Sequence, residues 1–420
     1  MLHRTHRSVT VTLSVLGALI LGASGSSTAS TAPVNDVSIR FEDIESFARA
    51  ESPRARIIAQ KLAAATAEQD RDLQWSNPSL AYDHEENESF REWQLTLHKR
   101  FEMPFSQAGL RDGWEGTIRA EELRGKQESE NLLAELKGGY VRLRLFENYL
   151  DRLKRLAGLV DLAATVADER YTEGELSGTE KQLIQLAAFS VDATSRRIQQ
   201  EHRQDAAFWR AEMGLSSMVT VDLVTPVTFL PFELDGPDAY AAMVSHRPGL
   251  QAQATLAQAL GSQAEAARPD IVPGMDIHGG YKSFASELNG FVAGIAVDLP
   301  FFDRNAGASK RLEAERLIVE HEMAISMARS RNEIAALIDA ITAAQAPLAG
   351  FTERLDQGPP LAETLLFSYR EGSITLDALL GAIQIESSAV EDYFAELTAY
   401  YMNIFRLESM TGATIVRFAP

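Results

Sequence analysis

Two seven-residue stretches of this chain, Tyr171-Thr172-Glu173-Gly174-Glu175-Leu176-Ser177 and Tyr369-Arg370-Glu371-Gly372-Ser373-Ile374-Thr375, share one pattern: Tyr, any residue, Glu, Gly, any residue, Leu or Ile, Ser or Thr. Prolines and glycines elsewhere keep the same register. Pro53 and Pro78 recur as Pro248 and Pro273 at a spacing of 195, and Pro104 recurs as Pro300 at 196. Gly109, Gly174 and Gly214 recur as Gly307, Gly372 and Gly412 at 198, so a two-residue insertion separates the last proline pair from the glycines. Solenoid repeats run about 20–50 residues, far shorter than this period. The duplication therefore constrains the chain to one fold made of two pseudo-equivalent halves.

The first residues carry His3, Arg4, His6 and Arg7, followed by an uncharged run from Val9 to Ala23 and a small-residue stretch from Ser24 to Ala32. That order reads as a secretory signal peptide over residues 1–30, and its apolar run falls short of the ~20 residues a spanning helix needs. The chain is expected to be exported. It has no cysteine, which removes disulfides, thiolate metal sites and a lipidated N-terminal cysteine together. Lysine and arginine number 40 against 59 acidic residues, and loss of Arg4 and Arg7 with the signal takes the net charge from −19 to about −21. Such acidity argues against nucleic acid as a natural partner, because phosphates are neutralised by Lys and Arg. A solvated acidic face accounts for the charge, and so does the lining of a cation-tolerant passage. No stretch after the signal reaches ~18 consecutive apolar residues, so any membrane insertion is expected through strands.

Each half opens with an Ala- and Gln-rich helical stretch, Glu51 to Trp75 and Ser245 to Arg268, stopped by a following proline. The period then changes to two. Met275, Ile277, Gly279 and Tyr281 share one face, with Asp276, His278, Gly280 and Lys282 on the other; Phe291, Ala293, Ile295, Val297 and Leu299 oppose Val292, Gly294, Ala296 and Asp298. The first half repeats this with Trp93, Leu95, Leu97 and Phe101 against Glu92, Gln94, Thr96, His98 and Arg100. Strands are expected at about 76–85, 91–103, 272–283 and 290–299, with Tyr82, Phe90, Trp93, Tyr281 and Phe291 near their ends. Apolar-out, polar-in ribbons with aromatic ends are the pattern of a transmembrane β-barrel. Four strands cannot close one, and unpaired edges are not tolerated in lipid, so several copies must share a barrel. Two chains would give eight strands and three would give twelve; the alternation does not choose.

Long helices follow the strands. Between Gly109 and Arg170, Leu136, Tyr140, Leu143, Phe146, Leu150, Leu153, Leu156, Val160 and Ala163 recur in steps of three and four, which is coiled-coil spacing. Unbroken, this helix would reach about 90 Å, with Gly138-Gly139 marking a place where it can kink. Return helices are expected from Gly178 to Met213 and from Leu376 onward. The second outgoing helix, from Ala308, is expected to break at Pro347 and again at Gly358-Pro359-Pro360. Leu215 to Asp238, with three prolines, reads as a linker. The organisation predicted is thus a first repeat over 36–214, a linker over 215–238, a second repeat over 239–412 and a tail over 413–420.

In the repeated motif the glycine suits the left-handed position that ends a helix. Ser177 with Glu180 forms a capping box that starts the next helix; in the second copy Thr375 is the cap, with Asp377 favouring the helix dipole from the first turn. The motif is a hairpin tip between antiparallel helices. A plain helical turn explains the Gly and Ser/Thr but not the recurrence of Tyr and Glu, which points to a docking surface. Catalytic patterns are missing: the chain has no Gly-rich phosphate loop, no His-Glu-x-x-His, no Glu-x-x-His pair and no Gly-x-Ser-x-Gly. No residue is assigned to catalysis, a cofactor or a metal. Asp276 and His278 are the one pair at metal spacing, and a place on a barrel lining accounts for them more simply.

The order of helix, Asn77-Pro78-x-Leu80, strands, Glu169-Arg170-Tyr171-x-x-Gly174-Glu175-x-Ser177, Arg247-Pro248, Gly279-Gly280-Tyr281, Asp298-Leu299-Pro300-Phe301-Phe302-Asp303-Arg304-Asn305 and Ser368-Tyr369-x-x-Gly372 resembles the TolC-like outer-membrane efflux proteins, nearest their heavy-metal (CzcC/CusC-type) branch. The resemblance implies an α+β membrane protein whose homotrimer forms a 12-stranded β-barrel over a periplasmic α-helical barrel in the outer membrane of a Gram-negative bacterium. It implies no enzyme and no cofactor, but the exit duct of a tripartite efflux system for metal cations or small toxic compounds, working with a periplasmic adaptor (a membrane fusion protein) and an inner-membrane RND-type transporter. Carried over, Tyr171, Glu173, Gly174, Ser177, Tyr369, Glu371, Gly372 and Thr375 lie at an adaptor-docking tip. Two departures stand out: an acidic residue near Gly381 that helps form a constriction in many members is absent, leaving Asp377 as the nearest acid, and so is the lipidated cysteine. The alternative is a soluble periplasmic coiled-coil adaptor or scaffold, which should not present two-faced strands with aromatic ends. A secreted hydrolase using paired carboxylates is disfavoured by the coiled-coil share of the chain.

Overall fold

The computed structural model describes residues 37–86, 91–101, 104–268, 274–284, 288–297, 305–356 and 361–418. The expected signal segment, Phe90, most of the 298–305 motif and the expected strand ends at 102–103, 272–273 and 298–299 lie outside the described residues. The elements in chain order are β1 (Val37–Ile39), α1 (Ile44–Glu51), α2 (Pro53–Leu73), β2 (Ser79–Glu86), β3 (Arg91–Phe101), α3 (Pro104–Thr172), α4 (Gly178–Glu212), β4 (Val221–Leu223), α5 (Pro237–Met243), α6 (Pro248–Ala266), β5 (Met275–Phe284), β6 (Leu288–Val297), α7 (Ala306–Asp356), α8 (Leu361–Arg370) and α9 (Leu376–Thr411). The chain divides into two compact units. One holds Leu62–Glu122 and Ala252–Met323; the other holds Ala32–Lys61, Leu123–Gln251 and Ala324–Pro420.

In the first unit the four period-two segments make one antiparallel sheet of order β2-β3-β5-β6. Each half supplies one hairpin, and β3 with β5 joins the halves, pairing Leu95 with Tyr281 and Leu97 with Gly279. The register puts Leu80, Tyr82, Leu95, Leu97, Ile277, Tyr281, Phe291 and Ile295 on one face. That face is bare: Leu97 is 52 % exposed, Ile295 66 % and Phe291 92 %. A row of rings crosses all four strands, from Tyr82 to Trp93 (centroids 6.4 Å apart), Trp93 to Tyr281 (5.8 Å) and Tyr281 to Phe291 (5.7 Å). At the opposite strand end Trp75 meets Phe101 edge-on at 5.8 Å, with the Lys99 ammonium over the Trp75 ring. Trp93 and Phe101 are eight residues apart, about 27 Å along the strand and roughly 20 Å after a ~40° tilt, close to the ~25 Å apolar band of a membrane barrel. The other face carries Glu92, Gln94, Thr96, His98, Asp276, His278 and Lys282, with a Lys282–Glu92 ion pair between strands.

The second unit is helical around α3, which runs unbroken for 69 residues. Of the predicted stripe from Leu136 to Ala163, every residue except half-buried Phe146 is buried. Gly138 and Gly139 lie inside the helix because neighbours occupy the space of a side chain: a Cβ on Gly138 would sit 2.8 Å from Met402 Sδ of α9, and one on Gly139 only 2.3 Å from Trp209 Cδ1 of α4. Trp209 also donates from Nε1 to the Leu136 carbonyl at 2.9 Å. The glycine cost to the helix, about 1 kcal/mol each, is set against a close three-helix approach.

Two expectations change here. Pro347 does not break the second outgoing helix: α7 runs from Ala306 to Asp356 with the proline inside it. The ring costs about 3 kcal/mol in a helix interior, but Ile341, Ala344 and Leu348 are buried on either side of it and hold the axis. The expected break at Gly358-Pro359-Pro360 falls outside the described residues. Taken over a window rather than as a strict run, α7 is also long and apolar enough to cross a membrane by length and composition. Its Ile334, Ile338, Ile341, Ala344 and Leu348 form a buried stripe in the helical unit, the pattern of a helix packed along one face, while most of the apolar window is not buried.

The proline-rich segment 215–238 is more than a connector. Its β4 pairs in parallel with β1, Ile39 opposite Leu223, and its extended backbone is satisfied by side chains, as buried carbonyls require. Asn148 donates to Val227 O, Tyr400 to Leu230 O at 3.0 Å, and Gln345 to Phe232 O at 2.8 Å. The Tyr140 hydroxyl accepts from Thr225 N at 2.8 Å and lies 3.3 Å from the carbonyls of Ile39 and Thr225. Burial raises its pKa above the usual phenol range. Arg247, preceding Pro248, donates to Gln127 Oε1 at 2.9 Å and Ser330 Oγ at 3.2 Å, tying α3 to α7.

Two outcomes follow. Tyr140→Phe leaves the Thr225 N–H buried and unpaired and is expected to cost about 1–3 kcal/mol, read as a lower midpoint in denaturant unfolding followed by helical circular dichroism. Leu97→Arg, midway between the two aromatic clusters, is expected to destabilise a lipid-embedded sheet by about 2–4 kcal/mol. Gln94→Arg, on the opposite face, is expected to have little effect on the heat resistance of the oligomer on gels.

Candidate docking site at the hairpin tips

The two copies of the motif end two helical hairpins with the same backbone geometry. At the first, Glu173 N bonds Glu169 O at 3.1 Å, Gly174 N bonds Tyr171 O at 3.1 Å, and Glu175 N closes back to Arg170 O at 2.8 Å. At the second the equivalents are Glu371 N to Phe367 O at 3.2 Å, Gly372 N to Tyr369 O at 3.0 Å, and Ser373 N to Ser368 O at 2.9 Å. Gly174 and Gly372 have φ of 78° and 74°, the left-handed conformation that ends a helix and that side-chain-bearing residues adopt at a cost. The spacing of 198 is thus a repeat of hydrogen bonds and not only of letters.

The next helices start as their caps dictate. Ser177 Oγ accepts from Glu180 N at 3.3 Å while Glu180 Oε2 accepts from Ser177 N at 2.9 Å, a complete capping box. Those hydrogen bonds from Ser177 hold the Glu180 carboxyl below the usual range. Thr375 Oγ1 accepts from Ala378 N at 3.4 Å, with exposed Asp377 in the first turn of α9. At the other end of the α8–α9 hairpin, Glu386 Oε2 accepts from Ala362 N at 2.8 Å and caps α8.

The side chains of the two copies diverge. Tyr171 is 44 % exposed, with the Lys181 ammonium 5.0 Å from its ring centre. Tyr369 is 1 % exposed and sits in a core formed by both tips, with Val166, Ala167, Leu176, Leu376 and Leu379. Its ring is covered by the Arg170 guanidinium at 5.2 Å, and Arg170 Nη1 donates to its carbonyl at 3.2 Å. Burial raises its pKa, and among the described residues its hydroxyl makes no hydrogen bond. Tyr369 therefore holds the tips together and does not present a surface. Arg170, which also pairs with Glu175 at 3.3 Å, stands in the first motif without having been expected to join the two tips. Its signal was its singularity, since Ser368 stands at the equivalent place.

What remains at the surface is mostly acidic, with Arg370 exposed beside Glu371. Glu173, Glu175, Ser177, Glu371, Thr375 and Asp377 are all exposed beside the two glycines, and among the described residues neither Glu173 nor Glu371 makes an ion pair. The arrangement offers a rigid, hydrogen-bonded pair of turns with carboxylates free to meet cationic side chains.

No protein-family model matches the chain, and no curated protein matches it in sequence. Solved structures match it in fold. The outer-membrane protein VceC of Vibrio cholerae aligns with a TM-score of 0.73 at 15 % identity over 89 % of this chain and 96 % of that one. CusC, whose structures concern folding and transmembrane channel formation, aligns at 0.70 and 15 % over 97 % and 100 %, and the outer-membrane channel OprN at 0.72 and 14 % over 89 % of each. The chain has the fold of these outer-membrane channel proteins, as its resemblance to the TolC-like proteins led one to expect. CusC is one neighbour among several, so the fold does not single out the metal branch.

If Tyr369 is core, Tyr369→Phe is expected to leave stability unchanged or slightly raised, because it removes an unpaired buried hydroxyl, whereas Tyr369→Ala is expected to cost about 3–5 kcal/mol. Denaturant unfolding of the two variants measures the difference.

Proposed function

We propose that the chain is an exit duct of a tripartite efflux system in the outer membrane of a Gram-negative bacterium, exported on a signal at 1–30. The observation that carries this reading is the sheet. Its apolar face is bare, bounded by aromatic rows at both ends, and its polar face is lined with charge. A four-stranded antiparallel sheet has end strands of opposite direction, so β6 of one copy can pair with β2 of the next in the same antiparallel sense. Three copies then close a twelve-stranded barrel with no free edge, which lipid demands. The helices of each copy, with their coiled-coil spacing, would make the periplasmic part of the passage.

The duct performs no chemistry, and an inner-membrane RND-type transporter supplies the energy. The tips are the surface for the periplasmic adaptor: Glu173 and Glu371 supply unpaired carboxylates, the two glycines set the turns, and Arg170 with Tyr369 locks the turns in register. Asp377, exposed in the first turn of α9, is the acid best placed to contribute charge to a constriction at the tip. Metal cations and small toxic compounds remain the substrate classes that the resemblance supplies, and the cytoplasmic-membrane partner makes the choice between them.

Purified protein in planar bilayers is expected to give discrete conductance steps; full recovery in the soluble fraction without detergent would contradict the duct. For the tips, Glu173→Lys together with Glu371→Lys is expected to reduce adaptor co-purification several-fold with the trimer intact. Undiminished co-purification would remove these carboxylates from the docking surface.

A further inference from the structure

The polar face of the sheet carries a group the duct reading leaves unused. In the β3–β5 register His98 stands directly opposite His278, and Arg100 opposite Asp276, so His98, Asp276 and His278 occupy neighbouring positions on one face. One ring nitrogen of each histidine and one carboxylate oxygen of Asp276 all lie within 4.8 Å of one another. The two imidazoles stack with centroids 5.0 Å apart, and His98 Nδ1 is 3.6 Å from Asp276 Oδ1. That separation is too long for a hydrogen bond, so His98 and Asp276 converge without one between these atoms. Ligands held at about 2.0–2.2 Å from one ion are roughly 3–4 Å apart, and a closure of about 1 Å completes the set.

The surroundings fix the set in place. Thr96, 1 % exposed, puts its Oγ1 3.1 Å from His98 Nε2, which leaves Nδ1 as the nitrogen turned to Asp276. A hydrogen bond to the second ring nitrogen is how a metal-binding imidazole is ordinarily oriented. On β6, Gly294 is paired with His278, and a Cβ there would lie 2.5 Å from both Cε1 and Nε2 of that ring. Only glycine leaves His278 room to lie where it does. From sequence alone Asp276 and His278 made two ligands and a barrel lining explained them; the third ligand comes from a strand of the other half.

We propose that His98, Asp276 and His278 bind a divalent transition-metal cation of the zinc or copper(II) class. Two imidazoles and one carboxylate suit such ions better than calcium or magnesium, which prefer oxygen, and three protein ligands leave positions for water. The half-buried side chains and incomplete shell make the site exchangeable. Its place on a lumen wall, once per subunit, rests on the proposed duct; the site itself does not.

The test uses the full chain in detergent, stripped with chelator and titrated with Zn(II) by calorimetry and with Cu(II) by electron paramagnetic resonance. The expected result is one ion per chain and nitrogen superhyperfine coupling from two imidazoles. His98→Gln, His278→Ala and the near-isosteric Asp276→Asn are each expected to weaken binding by at least about tenfold, and Gly294→Ala to weaken it by displacing the ring. His321→Ala, an exposed histidine on α7, should change nothing. Conductance measured on the same preparations separates this proposal from the duct. Wild-type protein that conducts but takes up no ion, or that binds equally well after His98→Gln and Asp276→Asn with the oligomer intact, overturns the site and leaves the duct standing. Stoichiometric binding lost in the variants, without conductance in any of them, supports the site and counts against the duct.

Discussion

The outer edges of β2 and β6 decide what this molecule can be. In water a strand edge hydrogen-bonds solvent, but in hydrocarbon each unsatisfied N–H or C=O costs several kcal/mol. A sheet that among the described residues has one bare apolar face and two unpaired edges is therefore stable in lipid only when another copy covers both edges. In the proposed duct, assembly and membrane insertion would be one event, with a passage lined by the polar face as its by-product. The same sheet is also where the duplication is resolved, because the β3–β5 ladder welds a hairpin from each half.

The helical unit solves a different problem with the same economy. Long helices joined by tight turns would splay without anchors, and the anchors here are polar groups placed in an apolar setting. Tyr140, Trp209 and Arg247 each bond backbone or side-chain groups far away in sequence, and the tips are joined by Arg170 over Tyr369. Desolvation strengthens such bonds and makes their loss costly. The pseudo-twofold repeat fixes the backbone of both tips alike, while single residues without a counterpart, Arg170 above all, supply the contacts between them.

Much of this was legible in the chain because period and punctuation are local signals. The alternation around Leu97 and Ile295 located the strands to within a few residues, and the Gly and Ser/Thr of the motif gave the left-handed turn and the capping box. What was not legible depends on packing across the fold. Pro347 reads as a helix breaker, yet its buried neighbours carry the helix through it. Tyr171 and Tyr369 read as equivalents, yet one is exposed and one is core. The strand β4 was hidden in a proline-rich stretch, since three residues carry no periodicity and its partner β1 lies far upstream. His98 lay 180 residues from His278, and only the strand register brought them together.

The most direct measurement exploits the absence of native cysteine. Within one chain β2 and β6 are separated by two strands, about 14 Å at the usual interstrand spacing, too far for a disulfide, whose Cα atoms lie within about 7 Å. Tyr82→Cys on β2 is combined in turn with Phe291→Cys, Ala293→Cys, Ile295→Cys and Val297→Cys on β6, and each pair is oxidised in outer-membrane preparations. Edge pairing between three copies predicts, for at least one pair, a ladder of covalent dimer and trimer with nothing larger. Monomer alone in every pair would contradict it.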